Sequence, residues 1–212
     1  MVVLVNLSTE TVTNFQILIE YMGITLSDTD FEILRLCSEN RETPVNLASH
    51  LDIEPNYAST ELSKLRRQDF IERPGPASNS GMNQTTKLGE FVLLKRDKYE
   101  HERTELFMVL VRRTSERADE FDIEPEDVLC YSSEAVRICQ QIRPLTIENV
   151  AESIDDDLSR MQNAIIYMYD AWFYDLLETE PWEGEVALTE RGQTVATADA
   201  DTAQELHEEV YG

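Results

Sequence analysis

The 212-residue sequence is poor in cysteine, glycine, proline and, above all, lysine. Its three cysteines, Cys37, Cys130 and Cys139, are too few and too oddly numbered for a disulfide framework. Cys37 and Cys139 fall inside apolar helical patterns, which makes them small buried hydrophobes rather than redox or metal groups. Seven glycines and seven prolines exclude a collagen-like or low-complexity architecture. No run approaches the roughly 18 apolar residues of a membrane helix. The opening Met1-Val-Val-Leu-Val has neither a basic flank nor a small-residue cleavage site, so it does not read as a secretion signal. The expectation is a cytoplasmic chain with no membrane partner. Glycine-rich phosphate loops, nucleophile elbows and His-Glu-x-x-His patterns are all missing. His50, His101 and His207 are scattered, and no pair of Cys or His has metal-ligand spacing. The acidic runs at 155–157 and 208–209 read as solvated surface. No enzyme, cofactor, metal site or small-molecule ligand is expected.

What is present begins with a 42% hydrophobic content, enough for real cores in one large or two small domains. The formal net charge is −24. Only Lys64, Lys87, Lys95 and Lys98 are lysines, against fourteen arginines. A folded, acid-rich and lysine-poor chain resembles proteins of a salt-accumulating cytoplasm such as a haloarchaeon's, where acidic surfaces keep the protein soluble. The charge is unevenly spread. Residues 1–53 carry −6, residues 54–98 carry +2, residues 99–119 carry −1, and residues 120–212 carry −19 with no lysine. A basic window inside so acidic a chain points to a phosphate-bearing partner.

A repeat with a spacing of about 103 residues organises the chain. Leu34-Arg-Leu-Cys37 matches Val136-Arg-Ile-Cys139, Leu47-Ala-Ser-His-Leu51 matches Val150-Ala-Glu-Ser-Ile154, and Thr86-Lys-Leu-Gly89 matches Thr189-Glu-Arg-Gly192. In the first copy, Ser27 and Asp28 offer an N-cap to an apolar helix carrying Phe31, Leu34 and Leu36. Pro44 opens a short second helix, and Pro55 suits the first turn of a third. Ala58, Leu62 and Leu65 recur at i, i+4 and i+7 as one inward stripe. Phe70 to Arg73 is a short strand, residues 74–81 form the richest turn cluster, Asn83 to Thr86 returns as the partner strand, and a helix starts near Lys87. Three helices, a strand, a loop and a strand form the layout of a winged helix-turn-helix.

The segment Thr85-Thr86-Lys87-Leu88-Gly89-Glu90 resembles the Leu-Thr-x-x-Gly turn that follows the wing in winged-helix regulators of the MarR-like and haloarchaeal phage-repressor-like groups. Asn56-Tyr57-Ala58-Ser59 through Leu65, with Phe70-Ile71-Glu72, resembles their recognition helix and following strand. The likeness covers about 27–95, and Leu188-Thr189-Glu190-Arg191-Gly192 matches the turn again, with the leucine that Thr85 replaces in the first copy. The resemblance implies DNA binding by the first unit.

Geometry is compatible with that. With Ala58, Leu62 and Leu65 inward, Asn56, Thr60, Ser63 and Arg67 share the opposite face, with Ser59 and Lys64 beside them. Asn, Thr, Ser and Arg side chains suit base edges, Lys64 suits a phosphate, and Tyr57 at the helix start is placed for a phosphate oxygen. The wing adds Arg73, Ser78, Asn79, Ser80 and Asn83, with Lys87 just beyond. A solvated amphipathic helix and an ordinary polar hairpin would show the same pattern.

The expected second unit repeats the plan with another surface. Its third helix, from about Asp157 to Trp172, turns Met161, Ile165, Met168 and Trp172 inward and shows Ile166, Tyr167, Asp170 and Tyr174 outward. Apolar, aromatic and acidic groups there repel phosphate, so Ile166, Tyr167 and Tyr174 are expected at a protein interface or in a local core. Residues from Lys87 to Glu120 read as one long helix or two consecutive ones. With an N-terminal stripe of Val12, Phe15, Ile19 and Met22, they are candidates for pairing two chains into a homodimer on a two-part DNA site.

The expected fold is mainly α with small β-hairpin wings, a tandem winged helix-turn-helix. Its parts are an N-terminal helix (1–26), a DNA-binding winged helix (27–95), linking helices (96–132), an acidic winged-helix-like domain (133–198) and an acidic tail (199–212). Two functions fit: a sequence-specific transcription regulator, in the first instance a repressor, on double-stranded DNA; or a tandem winged-helix adaptor of a chromosome-segregation or transcription-initiation complex. The basic window favours the first and the acidic C-terminal half the second.

Overall fold

A computed structural model of the chain describes residues 25–74, 81–128, 133–154, 159–182 and 184–198. The N-terminal stripe, the wing tip with Ser78, Asn79 and Ser80, Cys130, the acidic run at 155–157 and the tail from 199 lie outside the described residues. Those described are mainly helical, with one two-stranded antiparallel sheet. No helix among them is long and apolar enough to cross a membrane. The chain divides into two compact units, Met1–Arg112 and Arg113–Gly212.

In the first unit, α1 (Asp28–Glu39) starts from a capping box. The Asp30 N–H donates to Ser27 Oγ at 3.2 Å, and the Ser27 N–H donates to Asp30 Oδ2 at 2.7 Å. The helix buries Phe31, Ile33, Leu34 and Cys37, whereas Leu36 is only half-buried. Thr43 caps α2 (Pro44–Leu51), and α3 (Pro55–Arg67) follows after Asp52 in the left-handed region. Pro44 and Pro55 both sit at the first helical turn, where the missing N–H costs nothing. Ala58, Leu62 and Leu65 are wholly buried, as their spacing predicts; each leucine contributes on the order of 2 kcal/mol through burial.

The chain then forms β1 (Ile71–Glu72) and β2 (Gln84–Thr85), paired with Ile71 opposite Thr85 and Glu72 opposite Gln84. Glu42, between α1 and α2, bridges Asn83 from the other side, with backbone N–H···O bonds of 2.9 and 2.8 Å. Thr86 caps α4 (Lys87–Leu94) and donates its hydroxyl to the Asp69 carbonyl at 2.6 Å. Gly89 is required there, because a Cβ would land on the Phe70 carbonyl oxygen. The stretch from Lys87 onward is two helices, with 3₁₀ turns at Arg96–Lys98 and His101–Arg103 before α5 (Thr104–Phe121). The Tyr99 ring stacks edge-on between Phe31 and Phe107, 5.2 Å from each.

The second unit holds α6 (Ser133–Gln141), α7 (Ile147–Glu152), α8 (Arg160–Phe173) and α9 (Glu190–Thr197). Its hydrogen bonds repeat those of the first. Thr146 caps α7 from Asn149 N–H at 3.2 Å, as Thr43 caps α2 from Asn46 N–H at 3.2 Å. The Val186 N–H donates to the Leu145 carbonyl, as Asn83 does to Glu42. Thr189 donates to the Asp175 carbonyl and accepts from the Gly192 N–H, as Thr86 does with Asp69 and Gly89. A Cβ at Gly192 would land on the Leu176 carbonyl oxygen. Asp69 and Asp175 occupy the left-handed region at φ 60° and 59°.

The spacing is not uniform. It is 102 at Cys37 and Cys139 and 103 at the helix caps. It becomes 106 at the end of the third helix, where Leu65 accepts from Phe70 N–H and Ala171 from Leu176 N–H, then 103 again at Thr86 and Thr189. The second copy thus gains three residues by the end of its third helix and loses three in its hairpin. The buried spine of α8 is Ala164, Met168 and Ala171, matching Ala58, Leu62 and Leu65. This corrects the expected inward stripe: Met161 is 49% exposed and Ile165 half-buried, because α8 is set by the 106 spacing.

Candidate nucleic-acid interface

The surface of α3 follows from its buried stripe. With Ala58, Leu62 and Leu65 fixed inward, Asn56, Ser59, Thr60 and Arg67 are exposed, Tyr57 is 44% exposed, and Ser63 is half-buried. Thr60 Oγ1 donates to the Asn56 carbonyl at 3.0 Å and Ser63 Oγ to the Ser59 carbonyl at 2.7 Å. A hydroxyl that spends its proton on its own helix presents acceptor lone pairs outward. Arg67 Nε donates to the Ser63 carbonyl at 3.3 Å, and the residue is exposed at the helix end.

Two expected contacts are engaged elsewhere. Lys64 does not stand out toward a phosphate: its ammonium lies 2.5 Å from Asp30 Oδ2 and 2.8 Å from Glu61 Oε2. Burial works to lower its pKa, but the hydrogen bonds and charges of Asp30 and Glu61 outweigh this and raise it above the ordinary lysine value. The same pair removes Glu61 from the exposed face, leaving it 12% exposed. Asn83, expected on the wing surface, is buried. Its amide donates to the carbonyls of Glu42 and Gly81 at 3.1 Å each, and its Oδ1 accepts from Arg66 Nη1 at 2.6 Å.

Arg66 is the residue the sequence reading missed. It bonds Asn83 Oδ1 and, through Nη2, Ser63 Oγ at 2.8 Å, tying α3 to the base of the hairpin. Its pKa is lowered, first by burial and then by the like charge of Arg73. The signal was adjacency to Arg67, but a helical wheel does not show that the side chain reaches Asn83. Arg73 is exposed at the end of β1, and Lys87 is exposed at the start of α4. Exposed acids flank the surface at both ends, with Asp52 and Glu54 before α3 and Asp69 and Glu72 after it.

On the second unit the expected protein-facing residues separate. Ile166 and Tyr167 are half-buried on α8. Tyr174 is buried, with its hydroxyl 2.9 Å from Thr114 Oγ1, because it ends the helix on the core side. In the 106 register, Ser59, Thr60, Ser63 and Arg67 correspond to Ile165, Ile166, Tyr169 and Phe173. Tyr169 is wholly buried and stacked against Trp182 of the hairpin at 5.9 Å. No protein-family model, curated protein or solved structure matches the chain.

Proposed function

We propose that the first unit is a winged helix-turn-helix that reads double-stranded DNA through α3, and that the chain is a sequence-specific transcription regulator, a repressor in the first instance. The observation that supports this best is the exposed face of α3. Asn56, Ser59, Thr60 and Arg67 form it, Glu61 on its flank is turned onto Lys64, the exposed acids stand only at its two ends, and Arg73 is exposed just past β1. Exposed arginines at such a face suit the phosphates of DNA. The neutral polar groups suit recognition of base edges at high salt, where counterion release weakens. The second unit serves assembly in this reading: Met161, Ile166 and Tyr167 on α8 give it a protein-facing surface. Two chains then place two α3 helices on a two-part site, about one DNA turn apart.

The test is a titration in molar potassium chloride on random-sequence duplexes and on duplexes from the protein's own promoter. Wild type is compared with a variant carrying Asn56→Ala and Arg67→Ala, two exposed positions. Selective binding that the double variant loses by roughly tenfold or more supports the regulator. No binding by the folded protein down to low salt overturns it, and the adaptor reading then takes its place.

A further inference from the structure

The second unit supplies an internal control for the first, since both share one hydrogen-bond scaffold. What both copies keep belongs to the scaffold, and what only one copy has belongs to that copy's task. The comparison separates arginines kept by both copies from arginines that one copy alone carries at the aligned position. Arg35 pairs with Glu32 at 3.0 Å, and its counterpart Arg137 pairs with Glu134 at 2.8 Å. Arg66 and Arg67 correspond instead to Trp172 and Phe173. A third arginine behaves like these two. Arg41 stands next to the Glu42 bridge, and in the register set by Glu42 and Leu145 the equivalent position is Pro144; Arg143, one residue before it, is turned back onto its own helix, with Nη2 donating to the Cys139 carbonyl at 2.8 Å.

Arg41 lies outside the basic window of the sequence, and only the Glu42–Asn83 pairing brings it to the hairpin. There its Nε donates to Gln84 Oε1 at 3.3 Å. Neither neighbouring acid neutralises it. Glu39 is taken by Arg35 at 2.8 Å, and the Glu42 side chain is turned inward, 5% exposed, while Arg41 is exposed. Elsewhere in this unit Arg35, Arg96, Arg103 and Arg112 each hold a carboxylate.

We infer that Arg41 is a DNA-backbone contact, extending the interface from α3 across the hairpin to the segment between α1 and α2. The inference rests on the reading of the first unit as DNA-binding. A phosphate contact strengthens binding to every sequence alike and steepens the salt dependence by about 0.9 in the log–log slope. A base contact, by contrast, changes the preference among sequences.

The experiment measures affinity of full-length protein for the preferred duplex and for random duplexes across a series of potassium chloride concentrations. Arg41→Gln is compared with Arg41→Lys, Arg35→Gln and wild type, with a thermal melt of each. Arg41→Gln is expected to bind all duplexes more weakly by a similar factor, with a slope shallower by about 0.9. Arg41→Lys restores the slope, and Arg35→Gln leaves it unchanged. If Arg41→Gln loses stability, Arg41→Ala gives the same comparison. A wild-type slope in Arg41→Gln, or no rescue by lysine, overturns the assignment of Arg41 while leaving α3 as the reading helix. Absence of any binding by folded wild type overturns both.

Discussion

Lys64 of α3 closes on Asp30 of α1 at 2.5 Å, tying the proposed reading helix to the capping box that starts the unit. Asp30 is wholly buried, with Oδ2 also accepting from the Ser27 N–H and hydroxyl at 2.7 and 2.8 Å, and Oδ1 has no hydrogen-bond partner. Removing the ammonium leaves that carboxylate without its counter-charge. A fully buried pair loses about 3–5 kcal/mol on such a change, but Lys64 is a third exposed, so about 1–3 kcal/mol is expected for Lys64→Met. Thermal melts in molar salt check this. At temperatures where the variant is folded, its salt slope on DNA stays that of wild type, unlike that of Arg67→Ala.

The duplicated scaffold yields a second substitution. Glu42 is a buried carboxylate whose Oε2 has no hydrogen-bond partner, and Leu145 stands at its place in the other unit, also buried. Exchanging an incompletely bonded buried carboxylate for an apolar side chain of similar size removes its desolvation cost. Glu42→Leu is expected to stabilise the protein by about 1 kcal/mol. A lowered melting temperature would show that the carboxylate has a partner in solution that its orientation here does not supply.

The comparison of sequence and structure separates local from distant information. The third helix was legible because Pro55 and the spacing of Ala58, Leu62 and Leu65 are local, and the same holds for the hairpin and for Thr86 and Gly89. Lys64 was misread because its partner Asp30 lies 34 residues away. Asn83 looked like a wing-surface residue until the Glu42 bridge covered it. Tyr174 and Met161 were misassigned for another reason: a constant spacing of 103 hides a three-residue gain offset by a three-residue loss within one copy. Periodicity places an inward stripe well, but it does not say which distant residue meets an outward one.

The two buried cysteines give a chemical and a pH test. Burial, with the Glu42 charge, pushes the Cys37 thiol up to about 12. Burial likewise pushes the Cys139 thiol up to about 12, opposed by Arg143 and aided by Asp170. Because the thiolate is the nucleophile, both residues should resist a thiol reagent at pH 8 in the native protein and react on denaturation. The sign for stability follows from linkage. The folded state holds these protons while the unfolded thiols release theirs from about pH 9, so stability falls as pH rises from about 9 toward 12. Lys64 acts in the same direction: its contribution is present below its ordinary value of 10.5 and is lost above it. Melting temperature should therefore decline steadily on the alkaline side, and rapid labelling of both cysteines in native protein at pH 8 would contradict the burial.

Scarcity of lysine makes the proposed interface directly readable by amine chemistry. Lys95 and Lys98 are buried, Lys64 is engaged by two carboxylates, and Lys87 is exposed at the start of α4, beside the hairpin. An amine-acylating reagent at limiting dose should modify Lys87 well before the other three. If the first unit binds DNA across α3 and the hairpin, adding the preferred duplex in molar salt slows acylation of Lys87 several-fold, a random duplex slows it less, and Lys95 and Lys98 remain unchanged. Mass spectrometry of the digested protein separates these sites. Unaltered labelling of Lys87 under saturating duplex would place the DNA elsewhere on the unit and remove the turn after the hairpin from its footprint, whereas slowed labelling that Asn56→Ala plus Arg67→Ala abolishes would tie that turn and α3 to one bound molecule.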